Sequence, residues 1–299
     1  MNDDDPLVGI FGPKLMDRIR QKAAHPASDP KLDDYVAVML GHDDNRLFQE
    51  DLTAWFAVAE AKGCADYFRH ELSSRVNDRG QFERCCGELA AGFFVYRWFD
   101  RQVDYRFGVR GADLRFAARG HAIDCEVKTA TGGWPPEEHG PRPVASPAPA
   151  IRELLDQCLD SRQLTKGNEN LLLIVDWRRP PVMADHVVQA LYGTHVLTSR
   201  VAADGSCRDW TLKRERDGKA GPNQMTRLGA LGVLQRLGIR PELCAYFVHN
   251  VFAARPVAPE ALDPWSQLMG MNSYDAGEWR NQEPDQPVRG ITEALWQEG

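Results

Sequence analysis

Long apolar runs are missing from this 299-residue chain: nowhere do 18 or more apolar residues follow one another, so no membrane-spanning helix and no membrane partner is expected. Zinc patterns are missing too. The 7 cysteines form no CxxC and the 8 histidines no HExxH. No GxxxxGK[ST] is present, so the chain is not expected to hydrolyse ATP. Internal repeats and coiled-coil heptads are absent. The first residues, Met1-Asn2-Asp3-Asp4-Asp5-Pro6, are acidic and lack the apolar stretch of a secretory signal. Adjacent Cys85 and Cys86 fall in a helical pattern, a poor geometry for a disulfide. All 7 cysteines therefore read as reduced thiols of a cytoplasmic protein.

Positive charge is scarce overall, with 36 Lys and Arg against 43 Asp and Glu, net −7. The shortfall is confined to the ends. Residues 1–75 carry 9 basic and 14 acidic side chains and residues 255–299 carry 3 and 8, each net −5; residues 76–254 hold 24 and 21, net +3. A mildly basic middle permits contact with a phosphate backbone, although a solvated face is the commoner meaning of such charge. With 43% hydrophobic and 26% charged residues, the composition is that of a soluble globular protein of one large or two modest domains.

What is present is a strand with a chemical face, His121-Ala122-Ile123-Asp124-Cys125-Glu126-Val127-Lys128. Side chains alternate across a strand, which sends Ile123, Cys125 and Val127 one way and Asp124, Glu126 and Lys128 the other. Charged groups on a buried strand are costly unless paired or holding a metal. Upstream, Gly111-Ala112-Asp113-Leu114-Arg115-Phe116 alternates likewise. The short turn Ala117–Gly120 predicts an antiparallel hairpin that brings Asp113 near Glu126 and Lys128.

Around this hairpin the pattern is mixed. Residues 1–31, rich in Pro and Asp, read as loosely ordered at the start. Helices are predicted over 32–39, 51–62 with Asp51 as N-cap, and 66–76, followed by a turn at Asn77-Asp78-Arg79-Gly80. The next helix, 81–100, is apolar on nearly all sides, and Glu88 is its only charge between Arg84 and Arg97. A lone buried carboxylate needs a partner, either in a polar site or in an ion pair with an arginine such as Arg84. A first core strand is expected over 103–109. The six prolines of 131–150 exclude a regular element and leave a surface loop or a flap beside the strand. A helix over 150–166 ends at Gly167, and Leu171–Val175 reads as a strand buried on both sides. A short helix at 184–192 is followed by a hairpin, 194–201 with 208–214, and then by a basic cluster, Lys213, Arg214, Arg216 and Lys219, that could contact phosphates. An amphipathic helix is predicted over 223–237, a last strand over 243–252, and a helix at 259–269.

The pair Asp113 … Glu126-Val127-Lys128 in a hairpin resembles the PD-(D/E)XK nuclease superfamily, an acid on one strand and acid-X-Lys on the next. Ala112 stands where the name-giving proline would be. The resemblance spans roughly residues 80–176, about a third of the chain. It implies an α/β fold with a restriction-endonuclease-like core, a central mixed sheet flanked by helices, plus a helical N-terminal region. The division is 1–78 helical, 79–254 nuclease-like, and 255–299 an acidic tail rich in Trp and Pro. It further implies that Asp113, Glu126 and the Val127 carbonyl hold Mg²⁺ or Mn²⁺, and that Lys128 acts on the attacking water. Glu88 would reach the metal directly or through water, and Gln163 would contact metal-bound water or phosphate. Asp124 is either a further ligand or an ion-pair partner of Arg115. The expected activity is metal-dependent hydrolysis of nucleic acid, DNA ahead of RNA, in restriction, repair or anti-phage defence. The alternatives are a catalytically retired nuclease fold serving binding or assembly, and an unrelated α/β protein whose EVK is an exposed charged strand. The N-terminal helices or the acidic tail offer a surface for a protein partner; nothing in the sequence sets an oligomeric state.

Overall fold

A computed structural model of the protein describes residues 5–106, 111–130, 147–160, 164, 167–176, 182, 184–193, 195–201, 207–214, 217–220, 224–236, 243–250 and 252–262. The chain opens with helices. In α1 (Pro6–Phe11) the Asp5 carboxylate caps the Leu7 N–H, and Gly12, at φ 76°, turns the chain into α2 (Pro13–Ala24). This corrects the expectation of a loose start over these residues. Pro6 and Pro13 open helices, where a missing N–H costs nothing. Leu7, Ile10, Phe11, Met16 and Ile19 are buried.

Three further helices follow: α3 (Asp34–Gly41), capped by Asp33 onto the Val36 N–H; α4 (Arg46–Ala61); and α5 (Ala65–Ser74). Asp51, expected as a cap, lies inside α4, which starts a full turn earlier behind a 3₁₀ turn at Asp43–Asn45. Asp78 caps the Gln81 N–H of α6 (Arg79–Trp98), whose two sides are both buried, as its apolar sequence requires.

The remaining elements are β1 (Asp104–Tyr105), β2 (Leu114–Ala118), β3 (His121–Ala130), α7 (Ala148–Asp160), β4 (Glu169–Asp176), α8 (Ala184–Tyr192), β5 (His195–Val201), β6 (Cys207–Arg214), β7 (Ala230–Arg236) and β8 (Leu243–His249). Six strands form one mixed sheet in the order β1-β2-β3-β4-β7-β8. β3, β4 and β7 run parallel, with Glu126 opposite Leu172 and Leu172 opposite Leu231; antiparallel strands close both sides. β5 and β6 form a separate antiparallel pair, the predicted hairpin.

The segment 223–237 departs from expectation. Its apolar run is not a helix but β7, hydrogen-bonded between β4 and β8. A short apolar run has no period that separates a buried strand from a buried helix. Pairing decides, because β4 is buried on both faces and needs a neighbour on each side. Gly232 fits that place: a Cβ there would come within 2.6 Å of the Phe247 ring. The helix expected from 259 is a 3₁₀ turn at Pro259–Leu262, and 263–299 lie outside the described residues, as do 107–110 and 131–146.

The sheet separates two apolar clusters. Ile123, Cys125, Leu171 and Leu173 face α6 and the N-terminal helices, whose Trp55, Phe68 and Leu89 belong to the same cluster. Leu172, Ile174, Leu231 and Val233 meet Ile151, Leu155, Val187 and Leu191 of α7 and α8. No helix among the described residues is long and apolar enough to cross a membrane.

Candidate active site

The hairpin forms in the predicted alternation, with Leu114 opposite Cys125 and Arg115 opposite Asp124. Asp113 therefore sits where the β2–β3 ladder stops. Its carbonyl accepts from the Arg106 N–H at 2.7 Å, and its Oδ2 accepts from the Val127 N–H at 2.8 Å. A carboxylate thus occupies the ladder position a further strand residue would take, and holds Asp113 beside the next side chain, Glu126.

Glu126 is 1% exposed. Its Oε1 accepts from Lys128 Nζ at 2.7 Å; its Oε2 is buried and has no hydrogen-bond partner among the described residues. Burial, and then the charge of Asp113, push the Glu126 pKa up from an ordinary 4.5 to about 8, against the pull of Lys128. Burial raises Asp113 as well, although the Val127 N–H and the Lys128 charge pull it down. For Lys128, burial favours the neutral amine, but the Glu126 carboxylate outweighs it and the lysine sits above its ordinary value.

Glu88 joins this group from α6. Burial, followed by the Asp113 charge, raises it from 4.5 to about 8, with Arg75 opposing and Glu71 and Glu126 adding to the rise. The ion pair with Arg84 that helix spacing allows is not formed. Glu88, Lys128 and Arg84 line one pocket of about 340 Å³, together with Glu153 and Gln157 of α7. The helix reaches the strand here because residue 87 is glycine: a Cβ would lie 2.0 Å from Thr129 Oγ1.

Asp124 takes the second of its two expected roles. Its carboxylate is gripped by Arg115 at 2.6 and 3.1 Å and accepts from Asn168 Nδ2 at 2.6 Å. Gln163 lies outside the described residues. In the basic cluster after β6, Lys219 is paired with Asp156 of α7 at 2.6 Å; residues 215 and 216 and the side chains of Lys213 and Arg214 lie outside the description. In the sequence, Arg84 stood out only as an ion-pair partner for Glu88; the polar pocket residues of α7 that it did not single out are Glu153 and Gln157. These two stand four apart, opposite the buried Ile151, Leu155 and Cys158, a polar stripe that looks like ordinary solvent-facing helix until the tertiary structure turns it toward β3.

Among the described residues no three His, Cys, Asp or Glu side chains converge closely enough to hold a metal by themselves. Mg²⁺ does not need three, since it keeps several waters and takes one or two carboxylates. The Asp113–Glu126 pair with the Val127 carbonyl is an all-oxygen donor set. The unpartnered buried Oε2 of Glu126 and the raised pKa values of both acids are the features a hard divalent cation would relieve. The residues therefore fit such an ion. Comparison with protein-family models, with curated proteins and with solved structures finds no match to this chain.

Proposed function

We propose that this protein is a metal-dependent nuclease with a restriction-endonuclease-like core, hydrolysing phosphodiester bonds in nucleic acid. The observation that carries the reading is the arrangement at the end of β3: Asp113 against Glu126, Lys128 2.7 Å from the same carboxylate, and one Glu126 oxygen buried without a partner. Asp113 and Glu126, both raised by burial, share a single ammonium among the described residues, which leaves one carboxylate charge for a divalent cation to offset. Asp113, Glu126 and the Val127 carbonyl would hold Mg²⁺ or Mn²⁺. When bound, that ion supplies the Lewis acidity for attack of water on phosphorus.

The chain's own side chains account for the rest. Lys128, with its ammonium 2.7 Å from Glu126 Oε1, would act on the attacking water and on the charge that develops at phosphorus. Glu88, protonated up to about pH 8, holds a carboxyl that can give or take a proton near neutrality. α6 and α7 wall the pocket on two sides, and the burial of Glu126 at its edge strengthens the electrostatic interactions there. Supporting the same reading are the mixed sheet flanked by helices and the mildly basic middle of the chain.

The test is cleavage of single-stranded DNA, double-stranded DNA and RNA with Mg²⁺ and with Mn²⁺, wild type against Glu126→Gln. Metal-dependent cutting lost in the variant is expected, with DNA the better substrate. Wild type that binds nucleic acid without cutting it would mark a retired fold. Neither binding nor cutting would end the reading.

A further inference from the structure

We propose that Arg84 is the substrate anchor of this site: its guanidinium takes the backbone phosphate next to the one that is cut. The inference rests on the nuclease reading and names a residue that the Asp113, Glu126 and Lys128 pattern does not contain.

The site has a charge problem that those residues do not solve. Glu88 and Glu153 line the pocket, and the charges of Asp113 and Glu126 are felt at Glu88 from the end of β3. A phosphodiester approaching them is repelled. A divalent ion can offset the carboxylates that hold it, but it does not reach along the strand to the neighbouring phosphate. Among the described residues, two cations line the pocket. The Lys128 ammonium is engaged with Glu126 at 2.7 Å. Arg84 makes no side-chain hydrogen bond or ion pair among the described residues, not even with Glu88 one turn away.

Its placement suits the task. Arg84 and Glu88 stand four residues apart on α6, so both lie on the face that meets the pocket, displaced by roughly 6 Å along the helix axis. α6 is fixed against the catalytic strand at this point. The Arg84 carbonyl accepts from Thr129 Oγ1 at 3.5 Å, and Gly87 permits the close approach. The backbone of Arg84 is thereby tied to β3 while its side chain is exposed. A guanidinium offers a fork of N–H groups matched to two phosphate oxygens, which an ammonium does not. A structural arginine would show the reverse pattern, a buried head with carboxylate partners, as Arg79 does with Glu83 at 2.9 Å.

The experiment uses the full chain with Arg84→Ala and Arg84→Lys. Fluorescein-labelled oligonucleotide binding is followed by anisotropy in Ca²⁺, cleavage in Mg²⁺, and Mn²⁺ affinity by calorimetry. For Arg84→Ala, oligonucleotide Kd and KM should rise on the order of 10-fold or more, with kcat within a few-fold. The slope of log K against log salt should become shallower by about 0.7 to 0.9, one phosphate contact. Arg84→Lys should recover part of the affinity, and Mn²⁺ affinity should not change. An oligonucleotide with one neutral methylphosphonate beside the cleaved bond should bind wild type and Arg84→Ala alike, because the contact is already absent. Inorganic phosphate should compete only weakly, since it lacks the strand. If wild type cuts and Arg84→Ala matches its KM and salt slope, the anchor is wrong and the nuclease reading stands. If Arg84→Ala loses Mn²⁺ affinity, the residue serves the metal site and the anchor role is again overturned. Wild type that neither binds nor cuts removes both.

Discussion

At the level of single side chains, Glu126 combines two states that are hard to hold together, an ion pair with Lys128 on one oxygen and a buried, unpartnered second oxygen. Lys128 and Glu126 should therefore separate on mutation. Lys128→Ala is expected to keep Mn²⁺ affinity, measured near pH 9 where proton competition is small, and to lose on the order of 10²- to 10³-fold in turnover. Glu126→Gln should lose both together. Equal turnover of Lys128→Ala and wild type at saturating Mg²⁺ would sink the catalytic assignment. Asp124 is different: its carboxylate belongs to Arg115 and Asn168, so Asp124→Asn should weaken the β2–β3 hairpin, visible as a lowered Tm, while reducing activity less than Glu126→Gln does.

The acids also set a pH dependence. Glu88 and Glu126 have folded-state pKa values near 8 against an ordinary 4.5. Between those values the folded chain binds more protons than the unfolded one, so stability is greatest below about pH 4.5 as far as these groups are concerned and is lost as pH rises toward 8. Metal-free protein should show a Tm that falls from about pH 5.5 to 8.5, and Mg²⁺ should restore more at the upper end, because only ionised acids are ligands. Glu126→Gln should flatten the fall and reduce the Mg²⁺ effect. A metal-free Tm that climbs over that range would mean the acids are ionised and satisfied in some other way.

At the level of elements, the contact of α6 with β3 positions everything else. It depends on Gly87 lying against Thr129 and is reinforced by Gly92, where a Cβ would meet the Tyr105 ring 2.2 Å from its hydroxyl. Gly87→Ala gains helix propensity worth about 1 kcal/mol and nevertheless should destabilise, by about 1–3 kcal/mol, since helix or strand must shift. Thr129→Ala in the same chain should restore part of the loss, as seen in denaturant midpoints. An additive double variant would show that the two residues are not in conflict. The sequence carried the polarity of this region but not the closeness, because the spacing of one helix from one strand is set by two residues 42 positions apart.

At the level of the whole molecule, one apolar cluster runs from Leu7 in α1 to Leu262, through α6 and one sheet face, so the N-terminal helices are part of the layer that supports the site. No cysteine need be oxidised to hold it. Cys64, Cys85, Cys86, Cys125 and Cys158 are free, and the last four are buried. Thiol titration of fresh protein in denaturant without reductant should recover all 7 cysteines of the sequence. A count of five or fewer would place a disulfide where none is expected.

Local rules were enough for much of this. Period-2 alternation with a short glycine-ended turn fixed the hairpin and its register, and with it the meeting of Asp113 and Glu126, because strand pairing across a tight turn leaves few alternatives. Helical periodicity placed α3, α5 and α6 within about two residues, whereas α4 begins at Arg46, five residues before the expected Asp51 cap. The unbroken apolar run at Leu171–Val175 gave a central strand. Local rules failed where a segment's state depends on a distant neighbour. Residues 230–236 become a strand only because β4 offers an edge, and Pro6 and Pro13 begin helices only because Leu7, Ile10 and Met16 have a core to enter. The pocket is of the same kind. Arg84, Glu153 and Gln157 are unremarkable polar residues on two helices, and only the packing of α6 and α7 on opposite faces of one sheet brings them to the end of β3, since the burial that drives that packing is non-directional and carries no mark in the local sequence.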